Sequence, residues 1–273
     1  MILLGILACR IFEDELIHLL KTKNDFDQII IFNNQNIQET FQKKLRDNSL
    51  SYILCNTYEE LNQIINRISS SQNILFLKLI ELKLHAYPNK LKDFIYQEVE
   101  SIRDKTPIRN VFLYYGLCGN VLGNVEKDFT TSEFQVFILK ESNGDIVDDC
   151  VGAVLEGRQN YLKLLKSFNK VGTLIELPMG AITNEQFLFK EYLDQGYSEK
   201  KAYKMIKKMY EIGHYKNILL IDTGLYYTPY KEAKQKAKDH ADKFQLELLE
   251  KKIGSQKLFQ ENYQKIKNNL LNQ

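Results

Sequence analysis

Short apolar runs alternate along the chain with segments whose apolar positions lie three or four residues apart. The runs predict buried strands, and the wider spacing predicts amphipathic helices. Strands are predicted at residues 2–7, 28–32, 52–54, 74–79, 111–115, 134–139, 173–177 and 218–221. Helices are predicted at residues 12–21, 39–46, 58–68, 88–102, 148–168, 184–195 and 198–211, followed from 230 by polar helix that breaks near Gly254.

Strands that alternate with helices of this length predict an α/β fold with a mainly parallel sheet and helices on both faces. We expect an N-terminal α/β unit at 1–105, a second α/β unit at 106–229 and C-terminal helices at 230–273. Three strand regions resemble one another, namely MILLGILAC, NVFLYYGLCG and NILLIDTG. Two or three similar α/β units would produce this likeness, and so would chance, because strand ends look alike in many α/β folds.

Charge and missing motifs narrow the function classes. Lys and Arg number 37 and Asp and Glu number 35, a net charge of +2, so the chain lacks the basic surface typical of nucleic-acid or anionic-membrane binding. The apolar stretches are shorter than the ~20 residues that span a bilayer, so we expect no membrane partner. GxGxxG, GxxxxGK[ST], HExxH and GxSxG are absent, which argues against NAD enzymes, NTPases, zinc peptidases and α/β hydrolases.

The four cysteines carry the most informative chemistry. No pair has CxxC spacing, and a chain with a sizeable core needs no disulfides, so reduced thiols and a cytoplasmic location are expected. Cys9 ends the first strand, Cys118 follows the strand at 111–115, and Cys150 opens a predicted helix. Ligands of open α/β sheets bind beyond the carboxyl ends of the strands, so these three cysteines should share one side. We treat Cys55, which ends a weak strand, as structural.

The surroundings of these cysteines suggest how a site would form. Gly116 and Gly119 on either side of Leu117-Cys118 would allow a tight bend. A helix N-terminus would lower the pKa of the Cys150 thiol. Three readings stay open at this point: a shared metal or cluster site, a single reactive thiol, and inert packing, because cysteine often behaves as a small buried hydrophobe.

Other candidate site residues lie near predicted strand ends. His85, in a loop before a helix that starts at Pro88, would complete a Cys₃His coordination sphere or else simply cap its loop. Asp149 is either a ligand or an acid at a helix N-terminus. We take Gly116, Gly119, Asn120 and Asp222 as candidate cofactor-binding residues, and we expect His18, His214 and His240 to lie at the surface.

Four segments in this order resemble the domain-of-unknown-function family sixteen thirty-eight of methanogens and other anaerobes. They are GILACRIFEDELIHLL, LKLHAYPNKLKDFI, VFLYYGLCGN and IVDDCVGAVLEGRQNYL, and GTLIELP and LLIDTG are similar to later parts of that family. Members are often associated with corrinoid-dependent methyl transfer. The resemblance therefore implies a thiolate site for zinc or an iron–sulfur cluster, made by the matching Cys9, Cys118, Cys150 and His85, in anaerobic metabolism.

These observations lead to three hypotheses. The first is a metal-binding enzyme or accessory factor of corrinoid-linked methyl or one-carbon metabolism, whose partner is a small-molecule substrate or a corrinoid protein. The second is a non-enzymatic module that binds a small ligand or a partner in the same crevice. The third is a thiol-dependent transferase with Cys118 as sole nucleophile. For a shared site, the sulfurs of Cys9, Cys118 and Cys150 should lie within about 7 Å of one another, with Cys55 remote.

Overall fold

The computed structural model describes residues 2–33, 38–82, 84 and 87–271, without the side chains of 38 and 184–188. Its residues group into two compact units, one formed by Met1–Glu156 with Gln256–Gln273 and the other by Gly157–Ser255. This grouping differs from the predicted boundaries after residues 105 and 229. The reason is that strands on both sides of residue 105 belong to the same sheet.

The first unit is a parallel sheet with helices on both faces, which confirms the predicted fold class. Within the described residues its six strands have the order β3-β2-β4-β1-β5-β6, and each neighbouring pair is parallel. The strands are β1 Leu3–Cys9, β2 Gln28–Phe32, β3 Ile53–Cys55, β4 Ile74–Ile80, β5 Asn110–Tyr114 and β6 Gln135–Ile138. The helices are α1 Glu13–Lys23, α2 Gln38–Asp47, α3 Tyr58–Arg67, α4 Pro88–Lys105, α5 Val125–Phe129, α6 Cys150–Val154 and, from the end of the chain, α11 Lys257–Leu271.

The helices form two layers. Helix α1 contacts α2 and α11 on one face, whereas α4 contacts α3 and α5 on the other. Central strands enclosed in this way are nearly continuous apolar runs: every residue of β4 is buried, and Lys78 is its one polar residue. The helix after β1 therefore lies on the opposite face from the helices after its two neighbours, β4 and β5. Chain connections that leave a sheet in opposite directions open a crevice at the carboxyl ends of the strands, and here that crevice lies at the end of β1.

The second unit also has a parallel sheet, with the strand order β7-β8-β9. Its elements are α7 Arg158–Ser167, β7 Gly172–Glu176, α8 Pro178–Asp194, α9 Glu199–Ile212, β8 Tyr215–Asp222, α10 Tyr230–Phe244 and β9 Glu247–Lys252. Strand β9 was not predicted, because its sequence ELLEKK is polar and mostly exposed. Nor is His240 a surface residue: it is buried between the Tyr210 hydroxyl (3.0 Å) and the Glu176 carboxylate (3.5 Å).

Two predicted helices have different bounds. The single helix expected at 148–168 is divided into α6 and α7, because Glu156 and Gly157 have φ angles of 60° and 112°, which no α-helix accommodates. Helix α8 begins at Pro178, six residues before the predicted start, since proline suits the first turn of a helix. None of the helices in the described ranges is long and apolar enough to cross a membrane.

Candidate functional site

The first two predicted site cysteines lie at the ends of neighbouring strands. Strand β1 pairs with β5 in a register that places Ala8 opposite Tyr114, and Cys9 is the next residue along β1. Cys118 follows β5 by four positions. Cys9 therefore lies at the end of β1, and Cys118 lies in the loop that follows the neighbouring strand β5.

A tight backbone contact brings the Cys118 loop to the segment before α6. The N–H of Leu117 donates to the Val147 carbonyl at 2.8 Å, and the N–H of Cys118 donates to the Asp148 carbonyl at 3.2 Å. Gly116 makes this approach possible, because a Cβ at that position would lie 2.5 Å from the Val147 carbonyl oxygen. These two hydrogen bonds hold Cys118 beside Asp148, which lies two residues before Cys150.

Left-handed backbone shapes the rest of this loop. Cys118, Gly119 and Asn120 have φ angles of 46°, 79° and 66°. Positive φ is uncommon for residues other than glycine, so the Cys118 conformation is a strained one that the backbone hydrogen bond to Asp148 helps to retain. Of the candidate cofactor residues in this loop, Gly116 lines the cavity described next, whereas Gly119 and Asn120 do not.

Cys9, Cys118 and Cys150 line a single small cavity of about 30 Å³ in the first unit. Its wall also includes Tyr115, Asp149 and Glu81, with apolar residues completing it. The structure thus brings together three of the four predicted metal ligands, contributed by three separate segments of the chain. The predicted 7 Å separation of their sulfurs stays a prediction.

The remaining predicted residues do not line this cavity among the residues that the structure describes. His85 lies outside the described residues. Cys55 ends β3, which β2 and β4 separate from β1, and its thiol is directed at the Ile31 carbonyl at 3.7 Å, so it is remote as expected. Asp222 belongs to the second unit, where its carboxylate accepts hydrogen bonds from the Gly224 N–H (2.8 Å) and the Tyr226 hydroxyl (3.0 Å). Its carboxylate therefore stabilises its own turn.

Asp149 caps helix α6. Its carboxylate accepts a hydrogen bond from the Gly152 N–H at 2.8 Å, the usual geometry of an N-cap aspartate. Of the two readings of Asp149, the helix N-terminal acid is the one that the structure supports. By capping α6, Asp149 fixes the first residue of that helix, Cys150, against the cavity.

The three thiols are protonated at neutral pH. Burial raises the pKa of Cys9 to about 12, with a further contribution from Cys118. Burial and then Asp149 raise the pKa of Cys118 to about 11 and that of Cys150 well above its usual range. The expectation that a helix N-terminus lowers the pKa of Cys150 is therefore wrong: α6 has only five residues, and burial beside a carboxylate outweighs its N–H groups.

Neighbouring backbone groups oppose part of this effect of burial. Ile11 lowers the pKa of Cys9, Gly116 that of Cys118 and Val151 that of Cys150, but burial outweighs each of these contributions.

Two polar residues of the cavity, Tyr115 and Glu81, were missed by the sequence reasoning. Tyr115 ends a strand and reads as a core aromatic, while Glu81 follows β4 and reads as a loop acid. Glu81 makes no hydrogen bond or ion pair within the described part of the chain. Knowledge of the strand order would have identified both residues. Strands β4 and β5 flank β1, so residues just beyond the ends of β4 and β5 lie beside Cys9.

The donor set fits a soft metal, although the spacing is not that of a preformed site. Three cysteines with a carboxylate nearby are typical ligands of zinc and of iron–sulfur clusters. As placed, however, no group of three or more His, Cys, Asp or Glu side chains among the residues described has the spacing to bind an ion.

Comparison with known proteins adds one finding to this geometry. A family model with the description "Protein of unknown function (DUF1638)" matches residues 79–261, about two thirds of the 273 residues. The chain belongs to this family. The range shared with DUF1638 contains Glu81, Tyr115, Cys118 and Cys150, and Cys9 lies before it. No curated protein and no solved structure matches the chain.

Proposed function

We propose that this DUF1638 protein binds a thiophilic metal, zinc or an iron–sulfur cluster, through Cys9, Cys118 and Cys150. The observation that supports the proposal is that three cysteines from separate segments line one cavity at the crevice of the sheet. Two carboxylate residues, Glu81 and Asp149, line the same cavity.

The residues around the cavity would have distinct roles. The three cysteines would be ligands, and Glu81, which has no partner among the described residues, is the carboxylate placed to supply a fourth. His85 remains the fourth ligand that the sequence predicts. A metal with three protein ligands supplies Lewis-acid chemistry and has one position open to a substrate atom.

The size of the cavity favours an ion over an organic ligand. A volume of about 30 Å³ corresponds to one water molecule, whereas pockets for small molecules measure about 300–1,000 Å³. The small volume therefore supports the metal site over the hypothesis of a module that binds a small organic ligand.

The proposed setting is corrinoid-linked methyl or one-carbon metabolism, in which the protein would be an enzyme or an accessory factor. The resemblance to the family supports this setting. The proposal of metal binding rests on the cysteine cavity and not on this metabolic setting, so metal content tests it independently of the setting.

Metal content after anaerobic purification tests the proposal. We expect stoichiometric zinc, or iron with acid-labile sulfide and a brown colour. Replacing Cys9, Cys118 or Cys150 with alanine should remove most of the metal, because two thiolates bind far more weakly than three. Cys55→Ala is the matched control, since Cys55 is buried but remote, and it should keep the wild-type metal content.

Elemental analysis and the visible spectrum of these four variants, and of a triple alanine variant at Cys9, Cys118 and Cys150, decide the outcome. Wild-type protein that carries no metal, even after anaerobic reconstitution, would show the proposal to be wrong. The same conclusion holds if the triple alanine variant binds as much metal as the wild type.

A further inference from the structure

Charge is divided unevenly between the two units, although the whole chain is nearly balanced. Residues 157–255, which form the second unit, contain 18 Lys and Arg and 12 Asp and Glu, a net charge of +6. The remainder of the chain contains 19 Lys and Arg and 23 Asp and Glu, a net charge of −4. The second unit is therefore the basic one, and five of its lysines lie within residues 200–208 of helix α9.

These five lysines form one side of α9, called here the lysine face. Its members are Lys200, Lys201, Lys204, Lys207 and Lys208, each exposed or partly exposed. Helical spacing places them opposite Ala202, Ile206 and Tyr210, which are buried. None of the five makes an ion pair with an acid in the part of the chain that the structure describes.

Lys204 lies at the centre of the lysine face. The surface neighbours of a helical residue lie three and four positions away on either side, and for Lys204 all four of these positions hold lysines. Like charges at such spacing destabilise a helix. Lys200 and Lys201 also lie in the first turn, where the positive end of the helix dipole disfavours a cation. A requirement of folding therefore does not explain why these lysines are grouped.

The composition of the lysine face favours an acidic protein over a nucleic acid as its partner. Arg158 is the single arginine of residues 157–255, whereas nucleic-acid surfaces depend on the guanidinium fork to contact phosphates and bases. Nor do the tyrosines of α9 present rings for base stacking: Tyr203 stacks on Phe244 with centroids 5.2 Å apart, and Tyr210 is buried. Lysine ammonium groups attract an acidic protein surface over a distance without such contacts.

An exposed apolar residue adjoins the lysine face. Ile212 is 69 % exposed and lies four positions after Lys208, so the two side chains are neighbours on the helix surface. Protein interfaces combine apolar contacts with a polar and charged rim. Ile212 is thus suited to contact an apolar side chain of a protein partner.

We propose that the lysine face of α9, together with Ile212, is a docking surface for the acidic face of a partner protein. The lysines attract and orient the partner, and Ile212 provides an apolar contact. Charge complementarity of this kind increases the rate of association and weakens as salt is added. The proposal goes beyond the metal site and does not depend on it.

Lys204→Glu tests the proposal, because it places a negative charge among four lysines. Fluorescently labelled poly-L-glutamate is the probe for an acidic protein surface, and its binding to the full-length chain is measured by fluorescence anisotropy at low ionic strength. Lys204→Glu should weaken binding by about 10-fold. The same variant should melt about 2–4 °C above the wild type, because four repulsions become attractions.

Lys236→Glu is the matched control, since it changes the charge by the same amount. Lys236 is exposed on α10, and its helical neighbours include Glu232 and Asp239 instead of lysines. This variant should bind poly-L-glutamate nearly as tightly as the wild type and melt slightly lower, because two attractions become repulsions.

Ile212→Ser tests the apolar part of the surface. It should weaken the binding of a glutamate–tyrosine copolymer, which offers an apolar contact, and leave the binding of poly-L-glutamate unchanged. Equal binding of the copolymer by this variant and the wild type would remove Ile212 from the docking surface.

Three outcomes would overturn the proposal. The first is a wild type that does not bind poly-L-glutamate, or equal losses of binding in Lys204→Glu and Lys236→Glu. The second is tighter binding of duplex DNA than of poly-L-glutamate, which would assign the lysine face to nucleic acid. The third is a Lys204→Glu variant less stable than the wild type, because the lysines would then have a structural role in α9.

Discussion

Replacing Glu15 with glutamine should raise the free energy of unfolding at pH 8 and flatten its dependence on pH. Glu15 is 2 % exposed, and burial, with a contribution from Asp14, raises its pKa to about 8. The ordinary value is 4.5. Between these two pH values the unfolded chain has lost the proton while the folded protein retains it, so stability falls as pH rises.

The expected size of this effect is on the order of 3 kcal/mol between pH 5 and 8, since each pKa unit corresponds to about 1.4 kcal/mol. Glutamine is neutral at every pH and avoids the cost of burying a charge. Urea unfolding at several pH values measures the difference. A Glu15→Gln variant with the same pH slope as the wild type would contradict the account.

Glu13→Gln is the matched control, with the opposite sign. Glu13 is also fully buried, but its carboxylate accepts from Lys44 Nζ and from Arg10 Nε, both at 2.8 Å. Removing its charge takes a buried carboxylate partner from both Lys44 and Arg10 and should lower stability by about 2–4 kcal/mol at pH 7. Two glutamates two positions apart on one helix should therefore respond oppositely to the same substitution.

Gly116→Ala should disrupt the protein and its cysteine site together. The added Cβ would lie 2.5 Å from the Val147 carbonyl oxygen and 3.0 Å from the Asp149 nitrogen, and both are backbone atoms that cannot rotate away. The loop must separate from the 147–149 segment, which breaks the hydrogen bonds of Leu117 and Cys118. We expect a loss of about 3 kcal/mol in stability and a large loss of metal affinity.

Gly123→Ala controls for glycine replacement in the same region. A Cβ at Gly123 would meet its nearest atom, in the Leu117 side chain, at 3.5 Å, which is ordinary contact. Chemical unfolding should show a change within about 0.5 kcal/mol, because no backbone has to move. If both alanine variants are equally stable, the close contact at Gly116 is not what joins the two segments.

The sequence predicts the location of those site residues that lie at the ends of central strands. Strand β2 has its predicted bounds, and Cys9 ends β1 as predicted, because apolar runs between turn signals identify central strands. Strand β9 escapes prediction because polar edge strands lack such a run. The break at Glu156 escapes because the helical pattern continues through it.

The chemistry of the site is less accessible from sequence than its location. The pKa of Cys150 depends on how deeply it is buried and on Asp149, and neither follows from its place at a helix start. Tyr115 and Glu81 enter the cavity only because β4 and β5 flank β1, an order that chain sequence does not reveal. Identifying site residues therefore required the strand order, whereas the sequence was sufficient to identify the cysteines as candidates.

X-ray absorption at the edge of the bound metal tests the central claim most directly, because it counts the sulfur ligands. For zinc, the account predicts three sulfur neighbours at about 2.3 Å and one lighter atom in the wild-type protein. Cys118→Ala should lower the sulfur count to two, and Cys55→Ala should leave it at three. A bound metal with only nitrogen and oxygen neighbours, or a sulfur count that Cys118→Ala does not change, would contradict the three-cysteine site.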